Sequence, residues 1–348
     1  MSTDASSADI DAVVAVVQAA GGDAFVSRGV SRTIVGLVGD IEHFSSLNLA
    51  ALPNVVDVLR ISRPYKLVSR ESHAEPSTVV VGGVPIGPQH FTLIAGPCAV
   101  ETAEQTLEAA QMAKRAGAQL LRGGAFKPRT SPYAFQGLGE AGLKILADVR
   151  AETGMPVVTE VVDAADVPLV ASYADMLQVG TRNMANFSLL QAVGECGKPV
   201  LLKRGLQATL EEWLMAGEYI AQRGNLSIVF CERGIRTFET ATRNTLDISA
   251  VPMLHMLSHL PVIVDPSHAA GRRDLVVPLA RAAMAAGADG VIVDCHPHPE
   301  AALCDGPQAL VASDLAELAE AARTIPPLVG RTSASGGRFE GGDTELRS

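Results

Sequence analysis

The chain has no surplus of positive charge. Its 348 residues carry 28 Lys and Arg against 38 Asp and Glu, a formal net charge of −10. A general nucleic-acid binder needs a basic face, so no nucleic-acid partner is expected. Paired cysteines are also missing. Five cysteines with no CxxC spacing give no disulfide framework and fit reduced thiols in the cytosol. No apolar run approaches the roughly 20 residues that span a bilayer, so no membrane partner is expected either. The opening MSTDASSADIDAVV lacks a basic stretch followed by an apolar one. That excludes a secretory signal there and makes a cytoplasmic protein the expectation. What the chain does have is 47% apolar residues, enough for one large core plus a small domain.

Residues 9–20 (DIDAVVAVVQAA) show a helical apolar pattern that Gly21 and Gly22 stop. DAFVSRG and RTIVGLVGD follow as strand candidates, 41–51 as a short helix and VVDVLRIS as another strand. This α-β-β-α-β order is one strand short of the ferredoxin-like module, and it sets residues 1–66 apart as a small α+β domain. Residues 67–90 read as a linker with a hairpin in STVVVGGVPIGPQH. From 91 to 328 the pattern becomes regular. Eight apolar runs (FTLIAG, AQLLRGG, PVVTEVV, DMLQVG, PVLLKRG, LSIVFCERG, PVIVDPSH and DGVIVDCHP) are mostly separated by helical stretches at 103–116, 140–152, 164–172, 186–195, 209–223 and 274–286. Eight β-then-α units predict an α/β protein with a (β/α)8 TIM barrel; a doubly wound sheet fits the count of eight less well. Residues 329–348, rich in Gly, Ser and charge, read as a disordered tail.

In such a barrel the active site lies where the strands end. The runs end in GPCAVE, RGGAFKPR, TEVVD, GTRN, KRG, CERG, DPSH and DCHP. Two constellations result. Arg122, Lys127, Arg129, Arg182, Lys203, Arg204 and Arg233 form a cationic set in an acidic protein. Converging cations repel unless an anion joins them, and Arg matches phosphate and carboxylate. Thr130 and Ser131 add hydroxyls beside Lys127 and Arg129. Together they point to one or two phosphorylated substrates; separate surface ion pairs are the alternative. Cys98, His268, Asp294 and Asp305 form the second set. Mixed S, N and O donors suit one divalent transition ion such as Mn²⁺, Fe²⁺, Co²⁺ or Zn²⁺, although each residue alone would more often be structural.

The blocks IAGPCAVE, LLRGGAFKPRTSPYAFQGLG, LQVGTRNMANFSLL, KPVLLKRG, CERGIRTFETATRNTLDISAVP, PVIVDPSHAAGRRDLV and CHPHPEAALCDGPQAL occur in this order. Together they resemble the 3-deoxy-D-arabino-heptulosonate 7-phosphate (DAHP) synthases, in the form with an N-terminal ferredoxin-like regulatory domain. The resemblance implies condensation of phosphoenolpyruvate with erythrose 4-phosphate and release of phosphate, the first step of the shikimate pathway. It further implies that Arg122, Lys127, Arg182, Lys203 and Arg233 grip phosphoenolpyruvate. Arg129, Thr130 and Ser131 would hold erythrose 4-phosphate, and Cys98, His268, Asp294 and Asp305 the metal. Lys127, His268 and Cys98 would be the catalytic residues, with Glu160 a candidate for handling the attacking water. A homodimer or homotetramer and an aromatic amino acid effector are also implied.

Two departures stand out. Asp294 occupies a place where this family usually has glutamate, and it is shorter by one methylene, roughly 1.5 Å. His296 would share its face if the strand continued and could substitute as a ligand; a plain loop histidine is the competing assignment. Cys304 stands where serine is commoner. In the N-terminal domain the first strand is missing, and Phe25 replaces a histidine that some relatives use in regulation, while Ser27 is kept. Two rivals remain in view: an octulosonate 8-phosphate synthase acting on arabinose 5-phosphate, which usually carries a KANRS-like string instead of KPRTS, and a non-catalytic regulatory barrel.

Overall fold

A computed structural model describes residues 1–28, 33–39, 44, 46–58, 64–128, 131 and 133–333. The N-terminal unit begins with helix α1 (Ser7–Ala19), whose first turn is closed by a reciprocal capping box between Ser6 and Asp9. Strands β1 (Asp23–Arg28) and β2 (Thr33–Val38) form an antiparallel pair with Phe25 opposite Gly36. The expected strand VVDVLRIS is not found over 55–58, which form no regular element; residues 59–62 lie outside the described residues.

Strands β3 (Val79–Val81) and β4 (Val84–Ile86) make the expected hairpin. Its two-residue turn is Gly82-Gly83, both at positive φ, which only glycine adopts freely. The hairpin plugs the barrel. Val79, Val81 and Ile86 pack with Ile94, Leu120, Val158, Met176, Leu201, Val229, Ile263 and Ile292, one residue from each barrel strand. Each such apolar side chain contributes about 1.5–3 kcal/mol on burial. The floor of the barrel is therefore closed, and access is left to the opposite end.

The barrel is the predicted one. Strands β5 (His90–Gly96), β6 (Leu120–Arg122), β7 (Val157–Val161), β8 (Met176–Val179), β9 (Val200–Lys203), β10 (Ile228–Glu232), β11 (Val262–Val264) and β12 (Gly290–Asp294) pair in parallel, and β12 pairs back onto β5 to close the ring. Around it run α2 (Ala103–Arg115), α3 (Glu140–Thr153), α4 (Val167–Tyr173), α5 (Phe187–Glu195), α6 (Leu210–Ala221), α7 (Ala250–Leu257), the short α8 (Pro266–Ala270), α9 (Arg273–Ala285) and α10 (Ala312–Leu328). Three of these, α7, the one-turn α8 and α10, were not anticipated. In α7 the sequence AVPMLHML has almost no polar face to mark a helical period, and α10 runs through Pro326 and Pro327.

Residues 329–333, expected to be part of a disordered tail, are ordered against the barrel. After α10, Arg331 is buried, pairs with Asp289 and reaches the Gly87 carbonyl. Thr332 and Ser333 then add a short parallel strand beside the start of β5. Residues 334–348 lie outside the described residues.

Candidate active site and metal centre

A cavity of about 410 Å³ opens at the C-terminal end of the barrel strands. Arg122, Lys127, Ser131, Arg182, Lys203 and Arg233 line it, together with Glu160, His268, Cys304 and Asp305. The (β/α)8 topology explains this convergence, since each strand delivers its next residues to the same rim. Arg129 and Thr130 lie outside the described residues. Arg204 does not join the cations. It is buried with its guanidinium 2.9 Å from Glu232 and 2.7 Å from Asp247. Successive side chains at a strand end point to opposite faces, so Lys203 faces the cavity and Arg204 the surrounding layer.

Cys98, His268, Asp294 and Asp305 meet, and their donor atoms all lie within 4.8 Å of one another. Atoms sharing one ion at bond lengths of about 2.0–2.3 Å sit roughly 3–4.5 Å apart, so the set fits a single divalent ion. Cys98 Sγ is 3.9 Å from His268 Nε2 and 3.1 Å from Asp305 Oδ2. His268 Nε2 is 3.7 Å from Asp294 Oδ2 and 3.6 Å from Asp305 Oδ2. On its other side His268 Nδ1 lies 2.8 Å from Asp265 Oδ2, which also pairs with Lys203 at 2.5 Å. Asp265 thus orients the ring so that Nε2 faces the ligand group.

The electrostatics are those of a closely packed charge cluster. Burial favours a neutral His268, but the carboxylates of Asp265 and Asp294 outweigh it and hold the ring above its ordinary value. Burial likewise opposes the Asp305 carboxylate, yet His268, Arg243 and Cys98 keep it far below the usual carboxylate range. The Cys98 thiol is pushed well up, first by its contact with Cys304 and then by burial, with Lys127 opposing. Burial disfavours the Lys127 ammonium, but Cys98 and Glu160 keep it charged. Metal entry therefore has to release protons from Cys98 and His268.

Asp294 is held from both sides. Its Oδ1 lies 2.5 Å from Arg122 Nη1, and its Oδ2 accepts a 2.7 Å hydrogen bond from Gln308 Nε2. His296 turns away from the group. Its Nε2 is 3.6 Å from Glu101, and its Nδ1 accepts from the His298 backbone. Cys304 Sγ sits 3.7 Å from Cys98 Sγ at the cavity wall.

Arg236, Arg243 and Gln308 escaped the sequence argument. Arg236 and Arg243 reach the cavity from the long loop after β10, beyond the strand end that marked the other cations. A two-residue bridge between Ile235 and Thr245 folds that loop back over the rim. Arg243 reaches Asp305 Oδ1 at 2.8 Å. Glu160 has its own local requirement. A side chain at Gly180 would meet the Glu160 carboxylate and displace it from its present place.

A closed barrel whose cationic cavity adjoins a group of S, N and O donors able to hold a metal ion has the features of a site for phosphorylated anions. Comparison with known proteins makes it specific. Residues 68–328 match the DAHP synthetase I family, and residues 1–63 match the DAHP synthase ferredoxin-like domain. The chain belongs to the DAHP synthetase I family. It is 51% identical over 322 residues to a phospho-2-dehydro-3-deoxyheptonate aldolase of Thermotoga maritima, covering 92% of this chain and 95% of that protein. A crystal structure of phospho-2-dehydro-3-deoxyheptonate aldolase (DAHP synthase) from Thermotoga maritima superposes with a TM-score of 0.77 at 49% identity, over 95% of this chain and 97% of that one. A 2-dehydro-3-deoxyphosphooctonate aldolase of Magnetococcus marinus is 35% identical over 271 residues, 72% of this chain and 93% of its own.

Proposed function

We propose that this protein condenses phosphoenolpyruvate with erythrose 4-phosphate to DAHP and phosphate, with one divalent transition-metal ion held by Cys98, His268, Asp294 and Asp305. The observation that carries the proposal is a single cavity that touches both constellations: His268 and Asp305 of the ligand group at one wall, with Cys98 and Asp294 behind them, and Arg122, Lys127, Arg182, Lys203 and Arg233 around the rest. Membership of the DAHP synthetase I family supports the same substrates.

The cations fix two anionic substrates against each other, which replaces a bimolecular encounter with a positioned one. Arg122, Arg182, Lys203 and Arg233 take the phosphoenolpyruvate carboxylate and phosphate. Arg129, Thr130 and Ser131 take the phosphate of the sugar. A divalent ion, when bound, supplies Lewis acidity toward the aldehyde oxygen. The methylene carbon of phosphoenolpyruvate forms the new bond to the aldehyde carbon, and the aldehyde oxygen gains the electron pair. Lys127 supplies its proton. Its Nζ is 3.2 Å from Cys98 Sγ and 2.9 Å from the Cys98 carbonyl, beside the ligand group and charged. Water then adds to the cationic carbon of the former enol, with Glu160 placed to accept its proton. The carbon–oxygen bond to phosphate breaks, and the departing anion is stabilised by the same guanidinium groups. A homo-oligomer, an aromatic amino acid effector and a cytoplasmic location belong to the same proposal.

The octulosonate rival resembles the barrel alone at lower identity, whereas the N-terminal domain also matches the DAHP synthases. Phosphate release with a panel of aldose phosphates separates them. Erythrose 4-phosphate should give turnover, and turnover with arabinose 5-phosphate alone would overturn the assignment.

A further inference from the structure

Gln308 has no place in the mechanism above, yet it is one of the most completely buried polar side chains near the ligand group, at 2% exposure. Its Nε2 donates to Asp294 Oδ2 at 2.7 Å. Its Oε1 accepts from Arg243 Nη1 at 3.2 Å, and the same Nη1 donates to Asp305 Oδ1 at 2.8 Å. Two of the four candidate ligands, from the end of β12 and from the loop after it, are therefore joined through one amide and one guanidinium.

The site calls for a side chain that can both donate and accept. It must donate to a carboxylate on one end and accept from a guanidinium on the other. Reversing it would set an oxygen against Asp294 and an NH₂ against Arg243, so only one orientation satisfies both partners. The backbone holds the residue there. Asp305 sits at φ 56°, an unusual conformation for a residue with a side chain, and the 3-10 turn Gly306–Gln308 follows at once. A side chain at Gly306 would collide with the Pro299 carbonyl. Leu310 then donates to the Asp294 carbonyl and accepts from His296 N, which pins the returning chain to the strand end.

We infer that Gln308 is a positioning residue for the metal centre: it aims the short carboxylate of Asp294 at the ligand group and, through Arg243, keeps Asp305 in register with it. This rests on the metal reading proposed above. The short reach of Asp294 gives the role its point. An aspartate has fewer rotamers with which to find an ion than a glutamate. Arg122 on Oδ1 alone would draw it toward the cationic wall. Gln308 on Oδ2 supplies the opposing constraint.

The test is a Co²⁺ titration of metal-free full-length protein, followed by the thiolate-to-cobalt absorption band of Cys98. Gln308→Met keeps the volume and removes both hydrogen bonds; it should weaken Co²⁺ binding about 10–100-fold, as loss of a residue behind a ligand typically does. In an Asp294→Asn background the same substitution should cost clearly less than in wild type, because the share that passes through the Asp294 carboxylate is already lost and only the route through Arg243 to Asp305 remains. A purely structural role predicts equal losses in both backgrounds and would overturn the inference, as would unchanged Co²⁺ affinity in Gln308→Met. If Gln308→Met does not yield folded protein, Gln308→Asn, one methylene short of its partners, is titrated instead and should also weaken binding; wild-type affinity there would refute the role. A wild-type protein that binds no Co²⁺ through Cys98 would remove the metal reading itself, an outcome distinct from the others.

Discussion

Replacing Asp294 with asparagine isolates one charge at the centre of the site. Arg122 is 3% exposed, and its guanidinium lies 2.5 Å from Asp294, with the Pro97 carbonyl as its other hydrogen-bond partner. The substitution keeps the shape and leaves that guanidinium buried without a counter-charge. Breaking a buried pair from one side costs about 3–5 kcal/mol. At about 2.1 cal/mol/K of unfolding entropy per residue, a chain of 348 residues should lose roughly 4–7 °C of thermal midpoint. The assay is thermal unfolding of the metal-free protein followed through Trp213, the only tryptophan, which is fully buried against Phe230. Phosphoenolpyruvate should then raise the midpoint of Asp294→Asn more than that of wild type, because its anion replaces the lost partner of Arg122. A midpoint within about 1 °C of wild type, or an equal rise with ligand in both proteins, would refute the reasoning.

Other outcomes follow from the same structure. Lys127→Met should lower kcat at least 10²-fold, the usual scale for a positioned proton donor, while circular dichroism stays that of wild type; kcat within tenfold would remove Lys127 from proton transfer. Burial lowers His259 to about 4, with Ser77 and the Leu67 carbonyl as its partners. Between that value and the ordinary 6.5 the unfolded chain binds a proton that the folded chain does not. Stability should therefore fall as pH drops through this window, by up to about 3 kcal/mol. A His259→Gln variant with the same slope in urea melts from pH 7 to 4 would exclude this histidine as the cause.

The barrel was legible because its signals are local: eight apolar runs, polar endings and intervening helical periods. The same logic located Cys98, Lys127, Lys203, Arg233, His268 and Asp294 at strand ends, which the barrel brings to one rim. It misplaced Arg204, since proximity in sequence to Lys203 says nothing of which face a strand-end residue takes. It missed Arg243 and Gln308, whose places depend on how two long loops fold back, a tertiary matter with no periodic trace. The N-terminal domain was harder for a related reason. Its apolar residues support a helix and one strand pair, but the strand expected over 55–62 has no regular pairing in its described part.

The central claim is that one ion in the Cys98, His268, Asp294 and Asp305 group makes this cavity catalytic. Its most direct test is to add Mn²⁺ stepwise to chelator-treated protein with saturating phosphoenolpyruvate and erythrose 4-phosphate, and to measure phosphate release at each step. The account predicts no turnover at zero metal, a linear rise and a plateau at one equivalent per chain, with Cys98→Ala flat throughout. Full turnover in the presence of excess chelator would contradict it.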